Sequence, residues 1–119
     1  MEFPLSSNST QTVWEYISSP AGLASWFADE VSQKQRFFTF RWGKNEVRTA
    51  ELTNSRQVTY VRFHWIDEEP GSYFEMRLSK NDMTGLVMLQ VTECAPEIDE
   101  DDIQSLWQTS IDALRRTGA

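Results

Sequence analysis

Four short segments in the middle of the chain alternate apolar and polar residues with a period of two, and this pattern restricts the fold more than any other feature. In FFTFRW, Phe38, Phe40 and Trp42 share one face, with Thr39 and Arg41 on the other. In VTYVRFHWI, Val61, Phe63 and Trp65 oppose Tyr60, Arg62 and His64. YFEMRLS sets Phe74, Met76 and Leu78 against Tyr73, Glu75 and Arg77, and LVMLQVT sets Val87, Leu89 and Val91 against Leu86, Met88 and Gln90. Successive side chains of a strand point to opposite faces, so each segment reads as a strand with one buried side. GKNE (43–46), DEEPGS (67–72) and KNDMTG (80–85) supply turns between them, and TNSR (53–56) reads as a further turn after a strand over about 47–53. Short turns between consecutive strands imply an antiparallel meander of five or six strands, apolar on one face and mixed in charge on the other.

The cover for the apolar face comes at the end of the chain. Ile103, Leu106, Trp107, Ile111 and Leu114 fall on one helical stripe. Acids at 97–102 suit the helix N-terminus, with Asp99 or Asp102 as caps, while Arg115, Arg116 and Gly118 suit its other end. Burial of five such side chains contributes about 8–15 kcal/mol before entropy is subtracted. Removal of this helix is therefore expected to unfold the chain.

Before the meander, EFPL (2–5) reads as a short edge strand, because Pro4 cannot donate to a central ladder. Ser9 or Thr10 can cap a helix carrying Val13, Trp14 and Ile17. Pro20 ends that helix and can start another at its first position, with Leu23, Trp26 and Phe27 pointing together from it.

The order of these elements is that of a helix-grip fold, and the residues carry a resemblance. TVWEYISSPAGLASWFADEV is similar to the N-terminal signature of the START-like superfamily, also called SRPBCC or birch-pollen-allergen-like. Within it the chain most resembles the family of activators of the heat-shock chaperone ATPase. Val13-Trp14, Pro20, Gly22-Leu23 and Trp26-Phe27 stand where that family has a Val-Trp pair, a helix break, Gly-Leu and Trp-Phe, and Trp107, Ile111 and Leu114 fit its long last helix. The resemblance implies an α+β fold over 1–119 as one domain, with a curved antiparallel sheet wrapped on a long C-terminal helix and two short helices near the N-terminus. Members bind hydrophobic ligands, act as chaperone partners, or have no assigned activity.

Composition narrows the function. The 119 residues carry a formal net charge of −7, whose average field repels a phosphate backbone, so nucleic acid is not an expected partner. No apolar run approaches the roughly 20 residues of a membrane span, and no charged leader precedes an apolar stretch at the start. With Cys94 as the lone cysteine, no internal disulfide forms, and a reduced cytoplasmic setting is expected. Cys94 itself reads as a small buried or half-buried side chain. His64 is the only histidine and lies on the outer face by alternation, so it reads as a solvated or hydrogen-bonded surface residue rather than a catalytic one. The acids from Glu97 to Asp102 lack the glycine turn and closing Glu of a calcium loop. Neither a metal nor a cofactor is expected.

The expected function is non-catalytic binding of an apolar small molecule, a lipid or related metabolite, between the sheet and the last helix. Trp26, Phe27, Phe38, Phe40, Trp42, Phe63, Trp65, Phe74, Met76 and Trp107 are its expected lining, unless those side chains fill the space themselves. The alternative is a protein-interaction module resembling a chaperone ATPase activator, or a homodimerising domain without a ligand. A weaker third is hydrolase- or cyclase-like chemistry using a pocket carboxylate or Tyr60.

Overall fold

The structure, a computed structural model, describes residues 1–94 and 100–119. The chain opens with strand β1 (Glu2–Pro4), which ends on the proline that cannot donate. Helix α1 (Thr10–Ser18) begins where Ser9, in extended conformation, accepts from the Thr12 amide at 3.2 Å. Ser19 then ends one helix and starts the next. Its hydroxyl donates to the Glu15 carbonyl at 2.7 Å and accepts from the Gly22 amide at 3.0 Å, capping α2 (Pro20–Ala24) with Pro20 in the first turn.

Gly22 makes that sharp return possible. A Cβ at this position would lie 2.0 Å from the Glu15 carbonyl oxygen, so only hydrogen lets α2 approach the end of α1 so closely. α2 stops at Ala24, and Trp26 and Phe27 follow it in a turn rather than on a helical stripe. Their rings still meet edge to face, with centroids 5.4 Å apart.

Six further strands follow: β2 (Glu30–Lys34), β3 (Phe37–Trp42), β4 (Glu46–Arg56), β5 (Tyr60–Trp65), β6 (Tyr73–Lys80) and β7 (Val87–Cys94). With β1 they form one antiparallel sheet in the order β1-β7-β6-β5-β4-β3-β2. The final helix is α3 (Glu100–Arg116). This is the curved sheet, two short helices and C-terminal helix of the helix-grip α+β fold.

Within the sheet, three readings of the sequence change. The sheet has seven strands because β2 joins its edge. Val31 is the one inward apolar residue of β2, amid exposed polar neighbours, so no alternation marked the strand. β4 runs through 53–56 instead of turning there. A register irregularity between Leu52 and Asn54 keeps its polar end paired with β5, and the turn falls at 57–59. Cys94, the last residue of β7, is exposed rather than buried.

On the inner face the alternation holds. Phe38, Phe40, Phe63, Phe74, Met76 and Leu89 are fully buried, with Ile111 and Leu114 of α3 packed in the same core. Leu106 leaves the helical stripe and is 69% exposed, so Ile103, Trp107, Ile111 and Leu114 hold the helix, contributing about 6–12 kcal/mol before entropy. Arg115 ties the end of α3 to β1 by donating to the Pro4 carbonyl at 2.8 Å. Glu97 and Asp99 lie outside the described residues, as do the side chains of Glu100, Asp101 and Asp102, so the caps and acid cluster expected at 97–102 receive no structural account.

The outer face is more ordered than separate ion pairs in water. Glu75 is buried between Arg62, at 3.0 Å, and Arg77, at 3.3 Å. Those guanidinium groups lie over the rings of Tyr73 and Tyr60 respectively. Tyr60 is thereby engaged on the face opposite the core. His64 lies on the same outer face, its Nδ1 2.7 Å from the Ser72 carbonyl oxygen.

Substitution Gly22→Ala is expected to cost about 1–3 kcal/mol, because backbone rather than a flexible side chain must move. Thermal unfolding followed by circular dichroism reads this as a lowered Tm.

Candidate functional site

An antiparallel meander brings the end of one strand beside the start of the next. Trp42 closes β3, Glu46 and Arg48 open β4, Trp65 closes β5, Phe74 lies near the start of β6, and Glu93 lies near the end of β7. Register fixes their lateral order: Trp42 faces Glu46, Trp65 faces Ala50, and Phe74 faces Glu93. This end of the inner face meets α3 at Trp107 and the turn after α2 at Phe27. Between them lies a cleft of about 240 Å³, partly open to solvent, with Ile103, Leu106 and Ser110 on its helical side.

The aromatic side chains of the cleft form a closed circuit. Ring centroids are 5.9 Å apart for Phe27–Trp42, 6.2 Å for Trp42–Trp65, 5.2 Å for Trp65–Phe74, 5.9 Å for Phe74–Trp107 and 5.7 Å for Trp107–Phe27. Phe40 packs behind this circuit, 5.2 Å from Phe27 and 5.5 Å from Trp65. Hydrogen bonds set the indoles. Trp42 Nε1 donates to the Phe27 carbonyl at 2.7 Å, which holds the turn against β3. Trp107 Nε1 donates to Glu93 Oε2 at 2.7 Å, which joins α3 to β7. Trp26 Nε1 donates to the Tyr16 carbonyl at 2.8 Å and so points toward α1, away from the cleft.

The expected lining residues thus separate into two groups. Phe27, Trp42, Trp65, Phe74 and Trp107 border the cleft, while Phe38, Phe40, Phe63 and Met76 fill the interior behind it and Trp26 packs against α1. Glu46, Arg48 and Glu93 at the cleft were absent from the sequence-based set. Glu46 and Arg48 share the parity of Ala50 and Glu93 that of Val91, but Glu46 reads as part of a turn, Glu93 lies past the segment that reads as a strand, and the polarity of Arg48 masked its inner-face position. Asp29 has a local task, accepting from the Gly43 amide at 2.6 Å, and Glu30 pairs with Arg41 at 3.7 Å.

Arg48 is the basic group of the cleft. Its guanidinium lies 4.1 Å from the Trp65 ring centroid and reaches Asp67 through two nitrogens, at 3.0 and 3.3 Å, and Glu68 at 3.1 Å. Burial opposes its charge, but the hydrogen bonds to Asp67 and Glu68 outweigh that and hold its pKa above the ordinary arginine value. The same hydrogen bond from Arg48 holds the Asp67 carboxyl below the ordinary aspartate value.

A wider depression of about 380 Å³ on the outer face is bordered by Arg62, His64 and Tyr73, but Glu75 and the Ser72 carbonyl engage its cation and imidazole. Among the described residues, no three His, Cys, Asp or Glu side chains converge as a metal site would require, and no helix is long and apolar enough to cross a membrane.

Comparison with known proteins locates this architecture. The START-like superfamily domain matches residues 1–118. A protein from Bacteroides fragilis, solved by solution NMR, is 38% identical over 100% of this chain and 88% of its own, with a TM-score of 0.67. The Aha1 dimer from Colwellia psychrerythraea gives a TM-score of 0.79 at 13% identity, over 97% of this chain and 90% of that one. DynU16, from the dynemicin biosynthetic locus, gives 0.77 at 17% identity, over 98% of this chain but 45% of that one. No curated protein matches the sequence.

The Asp67 carboxyl is depressed in the folded state, so its contribution to stability is complete at neutral pH. That contribution is lost as pH falls from the ordinary aspartate range through the folded value. Carbon-detected NMR titration should place the Asp67 midpoint below that of an unstructured peptide, and Arg48→Gln should return it toward the ordinary value.

Proposed function

The chain belongs to the START-like superfamily, and on that premise we propose that it is a non-catalytic binding domain that takes an apolar small molecule in the cleft between the end of the sheet and α3. The observation that supports this most directly is the circuit of five rings beside an open volume of about 240 Å³. Aromatic walls with a few polar groups at the margin give affinity through burial and orientation through hydrogen bonds. The volume lies just below the usual range of ligand pockets, which suits a small molecule or the end of a longer one.

The groups available for acid–base chemistry support a binding role over an enzymatic one. Glu93 is tied to the Trp107 indole, Glu46 stands exposed at the margin of the cleft, Arg48 is held by two acids, and Tyr60 and His64 lie on the opposite face. A strand-to-strand dimer through β2 finds less support. That edge carries Glu30 and Lys34, charges that discourage pairing with a second sheet. The proposed setting is a single domain over 1–119, in the cytoplasm.

Naphthalene serves as a neutral probe. Its binding should change the tryptophan fluorescence of the wild type, and Ser110→Phe, which fills the helical side of the cleft, should weaken that binding by about tenfold, the equivalent of 1.4 kcal/mol. An unchanged affinity in a folded Ser110→Phe variant overturns this location.

A further inference from the structure

The cleft is aromatic, but its charges are not balanced. Glu46 and Glu93 border it directly. The one basic side chain among its described lining residues, Arg48, is met by two carboxylates, Asp67 at 3.0 Å and Glu68 at 3.1 Å. Two acids therefore engage the one guanidinium and two more border the cleft, on a chain whose net charge is already −7. An anionic ligand entering here would meet repulsion with no free guanidinium to receive it.

The rings favour the opposite sign. An aromatic face carries negative quadrupolar potential and attracts a cation within about 6 Å of its centroid. Arg48 already uses the Trp65 ring in this way. Phe27 and Trp42, both only half-buried, stand next to one another in the circuit, and the Trp107 ring lies beside the carboxylate of Glu93. The Trp107 indole also fixes one oxygen of that carboxylate, so a negative group is held in place at the cleft wall without having to be ordered by the ligand.

From these observations we infer that the cleft selects an organic cation, a compact alkylated ammonium group carried on an apolar body. This rests on the binding reading given above and specifies its ligand class. The aromatic rings take the alkyl surface, Glu46 and Glu93 supply the countercharge, and Arg48, neutralised by Asp67 and Glu68, forms a wall. Primary metal-like recognition is not involved, since an alkylated ammonium needs a surface of π faces and diffuse negative charge rather than close oxygen ligands.

Three probes of similar shape test it on the full chain: benzyltrimethylammonium, its uncharged carbon isostere neopentylbenzene, and the anion 3-phenylpropionate. Binding is followed through the indole N–H resonances of Trp42 and Trp107. The cation is expected to bind about tenfold more tightly than the isostere, and the anion most weakly. Glu93→Gln, which keeps an acceptor for Trp107, and Glu46→Gln at an exposed position should each reduce the cation's advantage about threefold while leaving the isostere unchanged. Equal affinity for cation and isostere, or tighter binding of the anion, overturns the charge selectivity and leaves apolar binding standing. If none of the three moves these resonances, both readings fall.

Discussion

Phe74 and Trp107 meet across the boundary between sheet and helix, and Phe27 touches both, at 6.0 and 5.7 Å. This three-ring junction joins the chain's N-terminal turn, its central meander and its last helix. Each partner arrives from a different part of the sequence. Phe27 depends on the α1–α2 return, which Gly22 allows. Trp107 depends on Ile111 and Leu114 anchoring α3, and Phe74 depends on strand pairing on both sides. The aromatic rings contribute area and directional contact together, which apolar surface of irregular shape would not do.

The same junction explains why the cleft lies at one end of the sheet. Farther along the inner face, Phe38, Phe63, Met76 and Leu89 pack to near-zero exposure in the core they share with Ile111 and Leu114 of α3. At the Trp42–Trp65 end an open cleft separates the sheet from α3, and Leu106 is exposed instead of packed in the core. Polar residues take inner-face positions there because a purely apolar rim would expose a sticky patch. The outer face solves a different problem. Glu75 between two arginines, each stacked on a tyrosine, shields a charged strand surface without any covering element.

Much of this architecture was legible in the sequence. Phe38 to Val91 alternate cleanly because each strand has one wet and one dry side, and the serine and proline at 19 and 20 announce a helix boundary by their backbone chemistry. What escaped had physical reasons. β2 has a single inward apolar residue, and 53–56 pair as a strand despite turn-like residues because the neighbouring strand supplies the hydrogen bonds. Leu106 fits a helical stripe by spacing, yet it stands at the open cleft and is exposed. At the cleft, Trp42, Trp65 and Phe74 were readable from strand parity and Trp107 from helical spacing, whereas Phe27 stands in a turn and not on the helix its spacing suggested. The division of these rings from the filled core was not readable, since side chains of one face look alike in sequence whether they touch a helix or stand beyond it. Arg48 was hidden by the expectation that inward residues are apolar, and Glu46 and Glu93 by strands that run past the segments their sequence marks.

The coupled rings carry an optical consequence. Trp42 and Trp65 lie 6.2 Å apart at a 55° tilt, within a chain of further aromatic neighbours. Transition dipoles at such separations and angles mix, giving paired ellipticity bands of opposite sign in the far ultraviolet, where backbone signals are normally read. Strand and helix fractions deconvoluted from such a spectrum will be distorted, and the distortion itself becomes a gauge of tertiary order at one end of the molecule.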